Sequence, residues 1–353
     1  MVKKIDKVVL AIDVMGGDKA PDAPLVACNK FLKKNKNVFF LLVGDAVKIK
    51  PYLKKYKLLR KMADIIHTKD VIKNEERVSV ALRIGKKSSM AMAIAETAMD
   101  RADAVISAGN TGALMGFSMF AFKRIKGIDR PAICGSFPTL RGMTCALDLG
   151  ANLKNSAEEL CQFALMGSEF AKIHFLIKNP KVGLLNVGSE NTKGFDYLQK
   201  ASAMLQRKVA PFDRMHYYGF IEGDDIAKGT VDVCVTDGFA GNVFLKTAEG
   251  IGWLINSKLK ETFSADMRTR VSYLLAHHEL KKIRNFLDPR YYNGAPFLGL
   301  NKIAIKGHGS SDQVAFRSAI QLAYELVSKH IVNNVRKNIE RINHHSIKKA
   351  RIA

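Results

Sequence analysis

Four stretches of the chain place glycine beside asparagine or aspartate directly after a short apolar run. They are Ser107-Ala108-Gly109-Asn110-Thr111-Gly112, Asp148-Leu149-Gly150-Ala151-Asn152, Asn186-Val187-Gly188 and Asp237-Gly238-Phe239-Ala240-Gly241-Asn242. Glycine lets a ligand approach the backbone, and asparagine offers a donor and an acceptor without charge. Where such a turn opens a helix, free N–H groups and the helix dipole suit an anion. One turn of this kind says little, because strand-to-helix turns choose these residues for their dihedrals. Four at the carboxyl edge of one sheet would line a shared polar site.

Other chemistries lack their residues. There is no GxxxxGK[ST] for a nucleotide-hydrolysing loop, and Gly109, Gly112 and Gly116 do not make GxGxxG. No HExxH or cysteine–histidine cluster offers a metal site, and no GxSxG offers a serine nucleophile. No metal and no cofactor is expected. A site of backbone amides, Asn, Ser, Thr and Lys suits direct attack by a bound anion on an electrophile, with phosphate the natural candidate. Ser88 and Ser89 follow a charged stretch with Arg83 and Lys86. They either face that phosphate or simply cap the helix that begins there.

The elements that must hold these turns follow an α/β rhythm. Val8–Ile12, Val38–Val43, Ala63–Thr68, Ala104–Ile106, Val182–Val187, Met215–Ile221, Val231–Thr236 and Ile303–Ile305 read as strands separated by helical segments. Ala132–Phe137 and Met143–Leu147 read as paired strands. Such alternation predicts a mostly parallel sheet covered on both faces, with ligands at the strands' carboxyl ends. The expected organisation is one α/β/α domain over 1–330, a helical protrusion near 251–287 and a basic helix or tail over 331–353. Basic residues flank Val271, Leu274 and Leu275 in the protrusion. It reads either as a helix pair packed on the domain or as a hairpin whose tip meets anionic lipid.

The 353 residues carry 56 Lys and Arg against 33 Asp and Glu, a net charge of +23. This excess points to an anionic partner or to a lysine-rich composition. Five scattered cysteines without a CxxC pair fit unpaired thiols in a reducing compartment. No run of about 18 apolar residues is present to span a membrane. A basic nucleic-acid-binding protein is the non-enzyme alternative, but no recognition helix, zinc or aromatic RNA motif supports it, and no nucleic-acid partner is expected.

Read in order, DVMGGD with Ala20-Pro21, Ser88-Ser89-Met90, SAGNTGALM, LDLGAN, TDGFAGNVFLKTAEG, GAPFLGL and KGHGSSD resemble the bacterial phosphate acyltransferase (PlsX) family of phospholipid synthesis, from Val8 to about Leu326. The resemblance implies a phosphotransacetylase- or isopropylmalate-dehydrogenase-like three-layer α/β/α fold. It implies reversible transfer of a long-chain acyl group from acyl carrier protein to inorganic phosphate. It also implies a cytoplasmic homodimer held peripherally at an anionic membrane, passing acyl phosphate to a membrane glycerol-3-phosphate acyltransferase. A phosphotransacetylase acting on acyl-CoA is the enzyme alternative. The chain departs from the family pattern at Lys19, Gly85, Lys87, Asn191, Asp224 and Asn293.

For this reaction phosphate is expected on Asn110, Thr111 and Gly112, with Ser88 and Ser89 nearby. Lys193 and Asn242 are expected to polarise the thioester carbonyl and stabilise the tetrahedral intermediate. Asn152, Asn186 and His308 would orient substrate or handle protons, and Gly241 would let substrate approach the backbone. Val271, Leu274 and Leu275 would face the membrane.

Overall fold

The computed structural model describes residues 7–207 and 215–350, the final 342–350 as backbone only. The chain opens with β1 (Val8–Asp13), α1 (Asp22–Leu32), β2 (Val38–Gly44), α2 (Ala46–Lys55), α3 (Lys57–Lys61) and β3 (Ala63–His67). Next come α4 (Val78–Ile84), α5 (Ser89–Ala98), β4 (Ala104–Ser107) and α6 (Thr111–Phe122). The middle holds β5 (Ala132–Ile133), β6 (Gly135–Thr139), β7 (Gly142–Leu147), α7 (Ala157–His174), β8 (Lys181–Leu185), α8 (Asp196–Gln206), β9 (His216–Ile221), α9 (Gly223–Lys228) and β10 (Val233–Val235). The long helices α10 (Gly238–Ser264) and α11 (Met267–Leu287) precede β11 (Ala295–Leu298), β12 (Ile303–Lys306), α12 (Gln313–Ser328) and α13 (Ile331–Ala350).

The strands form two sheets. One has the order β3-β2-β1-β4-β12-β11-β5 and the other β6-β7-β10-β8-β9. Parallel pairing dominates both, with antiparallel exceptions at β11 and β6. Strands such as β4 are buried along their whole length, as apolar parallel strands covered by helices on both faces must be. Helices α1 and α12 lie on one face of the first sheet and α5 and α6 on the other, while α7 covers the second. This is the expected three-layer α/β/α architecture. The expectation of one sheet is corrected: the chain leaves the first sheet after Ile133 and enters the second at Gly135. One apolar core nevertheless runs through both, joining Ile106 and Ile305 to Leu147, Val235 and Phe163.

Local signals fix the helix starts. Ser88 caps α5 by accepting from the Ala91 N–H, and Asn110 caps α6 by accepting from Ala113. Ser156 and Glu159 make a reciprocal capping box on α7. Beyond His330, Ile331, Val335 and Ile339 are buried, one turn apart, so that α13 docks on α7. Residues 351–353 of the expected tail lie outside the described region.

Helices α10 and α11 form an antiparallel pair that turns at Ala265-Asp266. Among the described residues only Gly238 and Gly241 of α10, and none of α11, are buried. The pair therefore projects from the domain. Trp253, Val271, Leu274 and Leu275 are all exposed, Leu275 by 84%.

Candidate active site

The two-sheet arrangement divides the four glycine-bearing turns. Ser107–Gly112 ends β4 in the first sheet, whereas Asp148–Asn152, Asn186–Gly188 and Asp237–Asn242 follow β7, β8 and β10 in the second. They do not share one edge. Two further turns join Ser107–Gly112 on the first sheet: residues 13–18 after β1 and residues 306–312 after β12.

Asp13 organises the first group. It is buried and accepts hydroxyl hydrogen bonds from Ser89 and Ser107, each at 2.6 Å. Burial pushes its carboxyl pKa up, against the pull of those two hydroxyls and the Met15 and Gly16 amides. Ser107 Oγ in turn accepts from the Gly109 N–H at 3.0 Å. Gly307 donates to the Ser107 carbonyl and Asp18 to the Gly309 carbonyl, which lock the three turns together. A Cβ on Gly16 would lie 2.8 Å from the Gly109 nitrogen, so only glycine permits this approach.

The predicted phosphate residues occupy this wall, and the side chains of Ser88, Ser89 and Asn110 are already engaged. The Ser89 hydroxyl is committed to Asp13, and Ser88 Oγ to its helix cap. The Asn110 amide donates to the carbonyls of Asn74 and Glu76 while its oxygen caps α6, pinning the charged loop before α4. Thr111 is exposed and Gly112 packs against Val78. Of the five, Thr111 and the free amides of the α6 start remain open to a ligand.

The second wall is held by two turns in direct backbone contact. Asp148 accepts from the amides of Ile133, Ala151 and Asn152 and from the Asn152 side chain. Burial pushes its pKa up despite these donors. The Gly238 amide donates to the Asn152 carbonyl, and a Cβ on Gly241 would stand 1.9 Å from the Asp148 carbonyl oxygen. Asn242 is exposed above Gly150, free of side-chain hydrogen bonds among the described residues. Asn186 holds the next turn by donating to the Lys193 carbonyl at 3.0 Å. The Lys193 ammonium is exposed and pairs with Glu190 at 2.7 Å, which raises its pKa.

Helix α10 joins the walls. It starts on the second sheet, where Asp237 caps it and accepts from the Tyr197 hydroxyl at 3.0 Å. Its later turns reach the β12 turn of the first sheet. Glu249 pairs with Lys246 at 2.8 Å and lies 3.9 Å from His308 Nε2. His308 Nδ1 is 2.9 Å from Ser310 Oγ, and its backbone N–H donates to Asn293. Asn242, Lys246 and Glu249 recur at helical spacing along this stretch. The structure thus brings His308 to α10, while Lys193 remains on the far turn with Glu190.

Lys306, Lys246 and Glu249 belong to this junction and were not among the expected residues. Lys306 ends a strand otherwise apolar and precedes Gly-His-Gly, a legible signal of a cation at a strand's carboxyl end. A separate cavity of about 220 Å³ is lined by Lys30, Lys34, Tyr291 and Arg317 and includes Asn293, which accepts from the His308 N–H. Among the described residues no cluster of His, Cys, Asp and Glu has the grouping of a metal site.

The chain is similar to known proteins in sequence and in fold. Residues 8–334 match the family model described as fatty acid synthesis protein. The chain is 45% identical to a phosphate acyltransferase of Rhodospirillum centenum over 337 residues, covering 96% of this chain and 94% of that one. It is 44% identical to a phosphate acyltransferase of Paramagnetospirillum magneticum, covering 95% of each. In fold it is similar to a phosphotransacetylase from Streptococcus pyogenes, with TM-score 0.63, 16% identity and coverage of 92% and 94% of the two chains. The EutD phosphotransacetylase from Staphylococcus aureus gives TM-score 0.60 at 15% identity, with the same coverage. The chain belongs to the fatty acid synthesis protein family, whose curated relatives here are phosphate acyltransferases.

Proposed function

We propose that this protein transfers a long-chain acyl group from acyl carrier protein to inorganic phosphate, giving acyl phosphate for phospholipid synthesis. The observation that carries the reading is the near full-length identity to phosphate acyltransferases, which spans the turns of both walls. The site chemistry is consistent with it. Phosphate needs only to be held and aimed at a thioester carbonyl, and thiolate leaves readily, so positioning and oxyanion stabilisation suffice. Phosphate would sit at the α6 start near Thr111, with Asn242 and Lys193 meeting the carbonyl oxygen from the second wall. Asn152, Asn186 and Gly241 would then act by holding that wall in place.

The carrier protein and the membrane fit the chain's surface. Acyl carrier proteins are acidic and phospholipid headgroups anionic, matching a chain of charge +23. The projecting α10–α11 pair offers exposed Val271, Leu274 and Leu275 for a lipid surface and a longer apolar stripe, including Ile251 and Leu254, for a second copy of the chain. Among the described residues no helix is long and apolar enough to cross a membrane. Peripheral attachment is accordingly the mode proposed, with a membrane acyltransferase consuming the product. Incubation with acyl carrier protein thioesters and phosphate, set beside acyl-CoA, tests the donor; preference for acyl-CoA would favour the phosphotransacetylase alternative.

A further inference from the structure

Lys306 ends β12, the strand whose turn packs against the β1 and β4 turns of the first wall. The side chain is mostly buried. Nζ donates to the Ala108 carbonyl at 3.4 Å and to the Gly307 carbonyl, and no described carboxylate lies within ion-pair distance. Carbonyl dipoles alone repay little of the cost of taking an ammonium out of water. The charged groups facing it are Asp13 and Asp18 from the β1 turn and Lys246 from α10. Asp13 is saturated by two serine hydroxyls, and Asp18 accepts from Asn74 at 3.0 Å. Lys246, of the same sign, approaches from the second sheet, and Glu249 already pairs with it. His308, on the same turn, is directed toward Glu249 and Ser310. Lys306 therefore ends beside the Gly109 turn with only carbonyl oxygens on its ammonium, and the cation that faces it, Lys246 on α10, has its own carboxylate partner in Glu249.

We propose that Lys306 is the cation that receives the phosphate dianion, with Lys246 facing it, and that phosphate binding draws a proton into the site. The proposal rests on the transferase reading and sharpens it by naming the group that holds the nucleophile. Burial and then Lys246 lower the Lys306 pKa to about 8, so at mildly alkaline pH much of the unliganded protein carries this side chain neutral. An arriving dianion favours the ammonium form, and the proton must come from solvent. No bond is made or broken in this step; one proton passes from buffer to Nζ.

Calorimetric titration of the full chain with inorganic phosphate at pH 8.5, in two buffers of different ionisation enthalpy, measures that proton. Wild-type protein should show net uptake. Lys306→Arg should bind phosphate within a few-fold of wild type with no uptake, because guanidinium stays charged throughout. Lys306→Met should weaken binding at least tenfold and raise KM for phosphate more than it lowers kcat, with a cooperative melt confirming that it folds. Wild-type binding without uptake, no wild-type binding, or unchanged affinity in Lys306→Met would each overturn the assignment. Acyl phosphate synthesis by the same wild-type preparation separates these failures from failure of the transferase reading itself.

Discussion

Gly241 stands so close to Asp148 that a Cβ at 241 would lie 1.9 Å from the Asp148 carbonyl oxygen. The contact seats the first turn of α10 on the β7 turn, and from there the helix reaches the β12 turn, where Glu249 faces His308. A single backbone approach thus sets the position of Asn242, Lys246 and Glu249 together. Gly241→Ala is expected to push the turns apart, costing about 1–3 kcal/mol as overpacked sites do. Thermal melting should show the loss, and turnover should fall more than stability alone explains.

Asn242 and Lys193 reach from the second wall with little structural duty in their side-chain tips, since both are exposed. Replacing either by Ala should lower kcat by about a hundredfold or more, the scale for losing an oxyanion-stabilising donor, while the melting temperature stays within a degree or two. Near-normal turnover in both variants would remove them from the chemistry.

Ser89 separates structure from substrate binding on the first wall. Its hydroxyl donates to the buried Asp13 at 2.6 Å. Ser89→Ala should therefore destabilise the fold by about 1–3 kcal/mol, the cost of leaving a buried acceptor short of a partner. A drop in phosphate affinity without any loss of stability would instead give Ser89 the ligand contact first expected of it.

Lys306 makes stability depend on pH with a definite sign. Its folded pKa is lowered from 10.5 to about 8, so between these values the unfolded chain binds more protons and stability rises with pH. Below about 8 the folded state carries the full penalty of the buried ammonium. Lys306→Met should hence be more stable than wild type at pH 7, by on the order of 3 kcal/mol, with the advantage vanishing near pH 10.5. Denaturant melts across that range read the difference; a constant difference would contradict the environment assigned to Lys306.

The projecting helix pair gives a surface test. Leu274 and Leu275 are 73% and 84% exposed and flanked by basic residues. Leu274→Glu with Leu275→Glu should abolish sedimentation with anionic vesicles, and added salt should weaken wild-type binding by screening. Binding untouched by both would return the pair to a packing or dimer role.

The fold's rhythm was legible because buried parallel strands carry continuous apolar runs such as Ala104–Ile106 and the helix starts carry Ser88, Asn110 and Ser156 as caps. The division into two sheets was not legible. It depends on β5 and β6 pairing with different partners across Cys134, and a short apolar run does not encode which neighbour it will hydrogen-bond. The same limit separated turns that look alike in sequence: Ser107–Gly112 and Asp237–Asn242 end strands of different sheets. Lys246 and Glu249 were hidden for a related reason. Their spacing is that of any exposed helix pair, and only the path of α10 from one sheet to the other gives them a place beside His308.

Purified full-length protein, given long-chain acyl-acyl carrier protein and inorganic phosphate, should release free carrier-protein thiol in step with hydroxylamine-reactive acyl phosphate, and the reaction should run backwards from acyl phosphate and carrier protein. Acyl-CoA should serve poorly in the same assay. Thiol release without acyl phosphate, or no thiol release from acyl-acyl carrier protein at any phosphate concentration, would contradict the account.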